Sequence, residues 1–305
     1  MKKIKVTVGI PVFNEQENIC FLISDILSQK ISDIKLNEIL IVSDGSTDGT
    51  VARIQQLNNR KVRLISNYKR MGVAVRQNQI FAQSHACDYL ILLNGDIRIK
   101  DKEFFQKTVG CATENKADLL AIKLMPANPV NFFERILKVS VLIKGKAFEK
   151  YKNGDNLFTC CGPARIFSKK LFQKIKFKES PDEDAYSYLF CKYYGFRYKY
   201  FKGSSVYYRL PSNLRDHKRQ STRFFNQKHL LESEFGVKYV RQNYVLPYGL
   251  FILSGIITFL SYPLETISYF CLVCAIKAES FIFKRQTEST WEIASSTKHM
   301  EPTSY

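Results

Sequence analysis

The stretch EILIVSDGSTDGT at residues 38–50 joins a continuous apolar run to a turn rich in glycine, serine and threonine. Aliphatic runs without polar alternation are typical of strands that are buried on both faces of a sheet. The turn places Asp44 directly after the strand, and a helical pattern follows from Asp48 to Leu57. The stretch therefore predicts a strand, a polar turn and a helix, which is the repeating unit of a parallel α/β sheet.

The same alternation continues on both sides of this stretch. The predicted strands are 5–12, 38–42, 62–66, 89–93 and 119–123, and the predicted helices are 17–29, 48–57, 73–86 and 102–113. Right-handed crossovers between such units give an α/β fold with a doubly wound, mainly parallel sheet flanked by helices. The next pattern, at residues 131–150, predicts a surface helix, with a helix that lies on a membrane as the alternative.

The composition is that of a globular chain with a strongly basic surface. Hydrophobic residues make up 45% of the 305 residues, which is enough for a packed core. The formal charge is +18, and the segment from Lys144 to Lys228 has twenty basic and seven acidic residues. Such a surface suits nucleic acid, an anionic membrane or a phosphorylated substrate. We expect no nucleic acid as a partner, because the chain has no P-loop and no nucleic-acid-binding motif.

The cysteines and the N-terminus indicate a reducing, cytosolic setting. Neither Cys160-Cys161 nor Cys271-x-x-Cys274 has the second pair or the histidines that a zinc site needs. The N-terminal apolar run stops at Asn14 and alternates like a strand, so we expect no signal peptide. The α/β part of the chain is therefore expected to face the cytoplasm.

The C-terminal part contains an apolar stretch, Val245–Pro263, without a charged residue. A helix of that length rises about 1.5 Å per residue and can cross a hydrocarbon core of about 30 Å. Pro263 and Glu265 interrupt the pattern, so a buried helical hairpin is the alternative. Cations on both sides leave the orientation open. We expect residues 229–284 to be a membrane-associated helical region and residues 285–305 to be a polar, disordered tail.

Acidic and amide side chains follow the predicted strands at their carboxyl ends, where sheets of this kind bind ligands. Asp44 can accept hydrogen bonds from a nucleobase or a ribose, with a plain turn as the alternative. The first strand ends in PVFNE, residues 11–15, in which Asn14 either meets the same ligand or caps the next helix. The fourth strand ends in Asn94-Gly95-Asp96, where a carboxylate can bind Mg²⁺ or Mn²⁺ together with diphosphate oxygens. A plain turn is again the alternative.

Two further charged groups lie downstream. Asp182-Glu183-Asp184 stand at a predicted helix start, where the helix dipole favours carboxylates. A general base for an attacking hydroxyl is the functional alternative, and the sequence does not select which acid points inward. Residues 215–224 are strongly basic and suit the phosphates of a donor, a lipid headgroup or a solvated helix face.

Together these motifs resemble the family 2 glycosyltransferases, which are inverting enzymes with the GT-A fold. The resemblance covers about residues 4–225 and implies a GT-A catalytic domain at residues 1–228. Its anchors in chain order are Gly9 to Glu15, Ser43 to Thr50, Gly72 to Asn78, Asn94 to Asp96, Glu183-Asp184 and Gly195 to Arg197. Each motif is weak alone, and their order and spacing make the resemblance specific.

The resemblance implies a donor pocket with a metal ion. Asp44 is similar to the carboxylate that binds the nucleobase or ribose, and Pro11 and Glu15 would line the same pocket. Asp96 resembles the metal-binding second acid of the DxD motif. The first acid of that motif is Asn94 here, which can still meet a phosphate or the metal through its amide. We therefore expect a divalent cation, Mg²⁺ or Mn²⁺, that is bound more weakly than usual.

The resemblance also implies the catalytic groups. Asp184 resembles the catalytic base, and Glu183 is its motif neighbour. Gln220-x-x-Arg223-Phe224 is similar to the QxxRW motif, which places an arginine near the diphosphate and an aromatic residue by the acceptor. Phe224 replaces the usual tryptophan, and the chain has only one hydrophobic segment of channel length, so we expect transfer of a single sugar.

The resulting hypothesis is a membrane-associated glycosyltransferase of the hexosyltransferase type. It would move a sugar from a nucleotide-diphosphate sugar to a hydroxyl of a glycan or lipid-linked acceptor, in the synthesis of a cell-surface polysaccharide. One alternative is a polyprenyl-phosphate glycosyltransferase, whose phosphate acceptor needs no strong base. A second is a degenerate member that binds a nucleotide sugar without turnover, which Asn94 leaves open.

Overall fold

The computed structural model describes residues 3–178, 182–221, 228–282 and 295–298. The strands are β1 (Ile4–Val12), β2 (Ile34–Asp44), β3 (Val62–Asn67), β4 (Tyr89–Leu93), β5 (Ile97–Arg98), β6 (Leu119–Pro126), β7 (Ala164–Ser168) and β8 (Tyr198–Tyr208). The helices up to residue 172 are α1 (Ile19–Leu27), α2 (Thr50–Gln56), α3 (Val73–Gln83), α4 (Phe104–Glu114), α5 (Phe132–Lys150) and α6 (Lys169–Phe172). The later helices are α7 (Glu183–Tyr193), α8 (Leu214–Ser221), α9 (Lys228–Phe235), α10 (Val237–Asn243), α11 (Tyr248–Ser261) and α12 (Pro263–Ile282).

The strands form one mixed sheet in the order β3-β2-β1-β4-β7-β6-β8-β5. Neighbours from β3 to β4 are parallel, β7 runs antiparallel to both β4 and β6, and β6 is parallel to β8. The predicted mainly parallel α/β fold is confirmed, and each predicted strand and helix up to residue 123 has a counterpart. The sequence analysis did not predict β5, β7 or β8, and β7 separates β6 from β4.

Two layers of apolar side chains cover the two faces of the sheet. Adjacent residues of a strand point to opposite faces, so Ile41 packs in one layer and Val42 in the other. Helices α1 and α4 cover the first layer, and α3 and α7 cover the second. Helix α3 approaches β1 so closely that a Cβ at Gly9 would clash with Ile80. The close packing holds the strand ends of the central sheet in place.

The C-terminal region divides into a packed part and an exposed part. Helices α9 and α10 bury Leu231, Phe235 and Val240 in the second apolar layer. Helices α11 and α12 contact α5, which is the helix predicted at residues 131–150. By length and composition, the helical stretch Val237–Ser261 could cross a membrane, and an 18-residue window within it has a mean hydropathy of 1.7. The chain nevertheless leaves the helix at residues 244–247, between α10 and α11.

Residues 295–298 are the described part of the tail that was predicted to be disordered. They form a 3-10 turn, whereas the other residues of 285–305 lie outside the described residues. The amide of Ser296 donates to Asp216 of α8 at 2.9 Å. These four residues therefore pack against the α/β domain.

Candidate active site

The acidic residues predicted for the site meet at one edge of the sheet. Asp44 ends β2, Glu15 follows β1 and Asp96 follows β4, and these three strands are adjacent and parallel. Because β7 is antiparallel to β4, the start of β7 lies at the same edge. The amide of Asn94 donates to the carbonyl of Pro163, just before β7, at 3.0 Å.

Asp184 reaches this edge from the first turn of α7. The amide of Gly162 donates to Asp184 Oδ2 at 3.1 Å, and Gly162 directly precedes the residue that pairs with Asn94. The second carboxylate oxygen, Oδ1, accepts from the Ala185 amide at 3.1 Å. Asp184 is half-buried, and its carboxylate is next to the chain segment that carries the Asn94-Gly95-Asp96 motif.

Asp44 is buried, and its carboxylate is held by protein donors. Oδ1 accepts from Arg76 Nε at 2.7 Å and from the Met71 amide at 2.8 Å, and Oδ2 accepts from the Gly72 amide at 2.8 Å. A carboxylate offers about four acceptor positions, so about one remains for a ligand. Asp44 thus also positions the start of α3. Arg76 was not predicted as a site residue. The signal for it was a charged residue at a position of α3 that faces the sheet.

The turn after β2 is tied to the turn after β1. Asn14, which has a positive φ of 52°, accepts a hydrogen bond from the Thr47 amide at 2.8 Å. It therefore links the two turns and does not cap α1, which begins after Asn18. Asp48 accepts from the Thr50 amide at 3.0 Å at the start of α2. These bonds fix the polar turns at the carboxyl edge.

Glu15 is a buried carboxylate with a raised pKa. Burial raises the pKa to about 7, the charge of Asp96 adds to the rise, and the Lys298 ammonium opposes it. Lys298 forms an ion pair with Glu15 and also donates to the Phe13 carbonyl at 3.5 Å. Asn18 donates to the other Glu15 oxygen at 3.1 Å. The C-terminal segment thus brings a cation to the edge where the acids meet.

The Asn94-Gly95-Asp96 turn carries oxygens that suit a hard cation. Asp96 is half-buried and has no hydrogen-bond or ion-pair partner among the described residues. Asn94 Oδ1 is buried and likewise without a partner there. A Cβ at Gly95 would lie 3.0 Å from Glu15 Cγ, so a larger residue at this position would require the Glu15 side chain to shift.

No group of three or more His, Cys, Asp or Glu side chains in the described ranges is arranged to hold a metal alone. A cation bound by one carboxylate, one amide oxygen and the oxygens of a substrate fits these residues, since Mg²⁺ usually keeps waters and binds substrate phosphates.

The three acids at the start of α7 lie close together in a buried setting. Asp182 caps the helix by accepting from the Ala185 amide at 3.3 Å, as expected for an acid at a helix start. Burial, followed by the charge of Asp184, raises the pKa of both Asp182 and Glu183. Asp182 also accepts from the Tyr244 hydroxyl at 3.2 Å. Asp182 and Glu183 therefore favour their protonated forms at a pH at which isolated carboxyls are ionised.

A buried arginine that the sequence analysis missed supports this cluster. Arg165, the second residue of β7, is fully buried and donates to the Glu183 carbonyl at 2.8 Å and to Ser187 Oγ at 2.7 Å. Its charge lowers the pKa of Glu183 against the effect of burial. The signal in the sequence was a single cation in the apolar run at residues 164–167. Arg165 fixes the position of the first turn of α7 on the sheet.

The basic segment predicted near the diphosphate is described only in part. Gln220 is half-buried in α8, whereas Arg223 and Phe224 lie outside the described residues. Helix α8 is linked to the strand edge by the C-terminal segment, which contacts Asp216 through Ser296.

Comparison with known proteins identifies a family. The profile described as glycosyl transferase family 2 matches residues 7–176, more than half of the chain. An uncharacterized protein of Methanocaldococcus jannaschii is 27% identical over 180 residues, which are 55% of this chain and 73% of that protein.

Solved structures with a similar fold are distant in sequence. One is the mannosyltransferase PcManGT of Pyrobaculum calidifontis with GDP-Man and Mn²⁺: 15% identity, TM-score 0.56, covering 90% of this chain and 76% of that one. Another is S. aureus TarS 1–349 with UDP: 16% identity, TM-score 0.56, covering 93% of both chains. A third is the glucosyl-3-phosphoglycerate synthase of Mycobacterium tuberculosis with Mn²⁺, UDP and glucosyl-3-phosphoglycerate. It is 15% identical, and the match has a TM-score of 0.56 and covers 77% of this chain and 81% of that one.

The Asp44–Arg76 pair supports a test of stability. Asp44→Asn leaves the Arg76 charge buried without its carboxylate, so we expect the free energy of unfolding to fall by about 3 kcal/mol. The double variant Asp44→Asn/Arg76→Leu should lose less than the sum of the two single variants. Denaturant unfolding measures both. The Glu38–Arg63 pair, which is more exposed, is the control, and Glu38→Gln should cost about 1 kcal/mol or less. Full stability of Asp44→Asn would contradict the positioning role.

The raised pKa of Glu15 predicts a pH dependence of stability. Folded Glu15 keeps its proton up to about pH 7, whereas the unfolded group loses it near 4.5, so its ionisation destabilises the fold as the pH rises. Replacing it in Glu15→Gln removes this loss. Between about pH 5 and about pH 8 the variant should gain about 2 kcal/mol relative to the wild type. Glu17→Gln, at an exposed acid two residues away, is the control, and an equal pH profile in all three proteins would refute the prediction.

Proposed function

The chain belongs to glycosyl transferase family 2, and we propose that it transfers a single sugar from a nucleotide-sugar donor to an acceptor hydroxyl. The transfer would invert the configuration at the anomeric carbon. The acceptor would be a glycan or a lipid-linked sugar, and the transfer would be of the hexosyltransferase type. The observation that carries the proposal is the shared edge at which Asn94 pairs with Pro163 and the adjacent Gly162 binds Asp184.

The donor nucleotide would bind across the ends of β1 and β2. The remaining acceptor position of Asp44 would meet the base or the ribose, and Pro11 and Glu15 would line the same pocket. Asn94 and Arg223 would contact the diphosphate, while Gln220 and Phe224 would lie toward the acceptor. The hydrogen bonds that tie the two turns together support a preformed pocket, which lowers the cost of ordering the site on binding.

Asp184 would act as the general base. The acceptor hydroxyl loses its proton to Asp184 while its oxygen forms a bond to the anomeric carbon, and the bond from that carbon to the diphosphate oxygen breaks. The nucleoside diphosphate leaves from the opposite face, so the configuration inverts. The Gly162 amide donates to Asp184 Oδ2, and Arg165 donates to the backbone carbonyl of the preceding residue, Glu183. These contacts support a fixed direction for the base.

Asp96 and the amide oxygen of Asn94 would hold Mg²⁺ or Mn²⁺. The bound ion would neutralise the negative charge that develops on the leaving diphosphate. The similar structures that contain Mn²⁺ support a divalent cation for this fold. The buried Asn94 oxygen without a partner supports this assignment for the present chain.

The enzyme would work at a membrane with its catalytic domain facing the cytoplasm. The helical stretch Val237–Ser261 supports the attachment, because only 11% of its apolar 18-residue window is buried. The basic surface of the chain would favour an anionic leaflet.

The base is tested by Asp184→Asn with a donor chosen from a panel of nucleotide sugars by thermal shift in the presence of Mn²⁺. Transfer should fall by about 10²–10⁴-fold, because the amide cannot take the proton, whereas the thermal shift by the donor should persist. The control is Glu114→Gln, at an exposed acid of α4. Wild-type transfer in Asp184→Asn would remove the base and favour the polyprenyl-phosphate alternative, whose acceptor is already ionised.

The cation site is tested by Asn94→Asp, which restores the second acid of the motif. An added anionic oxygen should lower the Mn²⁺ concentration for half-maximal activity by about tenfold, an effect of about 1.4 kcal/mol. Titration of Mn²⁺ into metal-free enzyme, followed by transfer and by calorimetry, measures the change. Asn115→Asp at the exposed end of α4 is the control. Equal Mn²⁺ affinity in all three proteins would argue against a cation at this turn.

A further inference from the structure

Helices α11 and α12 have the opposite polarity to that of helices in a water-soluble domain. Their buried positions include hydroxyl-bearing residues, Ser254, Thr258 and Thr266, which are at most 3% exposed. Their outward positions carry large apolar residues, among which Leu260 is 77% and Ile252 is 66% exposed. The outward face continues over Ile256, Phe259, Leu264, Ile267 and Phe270, each more than 40% exposed. A contiguous apolar surface of this extent marks a site of contact with another apolar phase.

This pattern suits hydrocarbon as the surrounding medium. Helices that pack in lipid bring small and hydroxyl-bearing residues to the helix contacts and turn apolar residues outward. Two of these three hydroxyls are satisfied by backbone carbonyls one turn earlier: Thr258 donates to the Ser254 carbonyl at 2.7 Å and Thr266 to the Tyr262 carbonyl at 2.6 Å. They therefore need neither water nor a partner from outside.

The two helices lie against the catalytic domain, which favours a position in the membrane surface over a crossing. Helix α11 has 14 residues, about 21 Å, and falls short of a hydrocarbon core of about 30 Å. Helix α12 is longer, with 20 residues, but its apolar part ends at Ile276 and also falls short. Both helices pack on α5, a helix with seven charged side chains. Glu265 at the start of α12 lies 4.0 Å from Arg135 of α5. Charged α5 cannot enter the core, so the helices that cover it stay at the level of the lipid headgroups.

Cationic side chains of α5 and α8 accompany this face and match an anionic bilayer. Lys144 of α5 is exposed, and α8 lies beside α5, because the ring centroids of His217 and Phe133 are 6.2 Å apart. Helix α8 adds Arg215, Lys218 and Arg219 to the same region. A basic cluster next to an apolar face is the combination that anionic lipid surfaces bind.

A continuous row of aromatic rings joins this face to the catalytic acids. Phe251 of α11 contacts Phe148 with ring centroids 5.2 Å apart, and Phe148 stacks on Phe158 at 4.5 Å. Phe158 meets Tyr244 at 6.2 Å, and the Tyr244 hydroxyl donates to Asp182 at 3.2 Å. Asp182 caps the helix that carries Asp184, so the first turn of α7 is fixed relative to the apolar face.

We propose that α11 and α12 lie in the surface of an anionic bilayer and hold Asp184 at the lipid interface, so that the acceptor is an amphiphile anchored in the same bilayer. The acceptor class rests on the proposed glycosyltransferase function, whereas the docking of the helices does not. The hydrocarbon part of the acceptor stays in the membrane, and its sugar hydroxyl extends to the base.

The docking is tested with the full chain and vesicles of equal parts phosphatidylcholine and phosphatidylglycerol. Trp291, the single tryptophan, is replaced by phenylalanine, and a new tryptophan is introduced by Leu260→Trp or, as the control, by Leu57→Trp on the α2 side of the domain. Bromines near the headgroup end of the acyl chains should quench the Leu260→Trp emission more than bromines near the chain ends. The control emission should not change. Strongest quenching by the deep bromines would indicate a crossing and overturn the surface position.

Absence of quenching in both positions would overturn the docking. Self-association of the lipid-free chain that is abolished by Leu260→Glu, without binding to vesicles, would instead identify a second copy as the occupant and also overturn it.

The acceptor class is tested with long-chain alkyl glycosides in the same vesicles and with the corresponding methyl glycosides in solution. The variant Ile256→Glu/Leu260→Glu should lose at least about tenfold in transfer to the vesicle acceptors, since two charges oppose insertion. Its slow hydrolysis of the donor by water should equal that of the wild type. Equal transfer to alkyl and methyl glycosides would overturn the amphiphilic acceptor and leave the transferase intact. Absence of transfer to every acceptor, with quenching retained, would refute the proposed function and not the docking.

Discussion

The pairing of β7 with β4 is the constraint on which the candidate site depends. Parallel strands alone bring the ends of β1, β2 and β4 to one edge, and these ends carry Glu15, Asp44 and Asp96. The base candidate is almost ninety residues further along the chain than Asp96. Because β7 runs antiparallel to β4, it begins at this same edge, and the residues just before it, Gly162 and Pro163, bond to Asp184 and Asn94. The backbone hydrogen bonds of this ladder fix the register, because a slip by one residue would turn Arg165 out of the core.

Carboxylates gathered at a half-buried edge repel one another, and the fold offsets that repulsion with buried arginines. Arg76 forms a buried ion pair with Asp44 at the end of β2, and Arg165 anchors the acidic turn at the start of α7. Burial, with a smaller contribution from the charge of a neighbouring carboxylate, raises the pKa values of Glu15, Asp182 and Glu183. Such a site favours cations and protons, and the pairing of Lys298 with Glu15 is one example.

The prediction from the sequence succeeded where local patterns suffice. Strand β4 was predicted at its observed bounds, and the strands and helices up to residue 123 differ mainly at their ends. It failed for β7 and β8, since Arg165 interrupts one apolar run and lysines and tyrosines line the other. The apolar stretch predicted at Val245–Pro263 corresponds to α11, Tyr248–Ser261, and α12 begins at Pro263, where the predicted pattern is interrupted. The roles assigned to Gln220, Arg223 and Phe224 remain predictions.

The sequence by itself determined the α/β repeat, the acids at the strand ends and the family, because each depends on residues close together along the chain. Only the tertiary structure decided that Asp44 is bound to Arg76, that Arg165 supports Glu183, and that α11 and α12 turn their apolar residues outward. Those outcomes depend on contacts between segments that are distant in sequence. Local periodicity carries no information on which face of a helix meets a neighbour or which buried charge receives a partner.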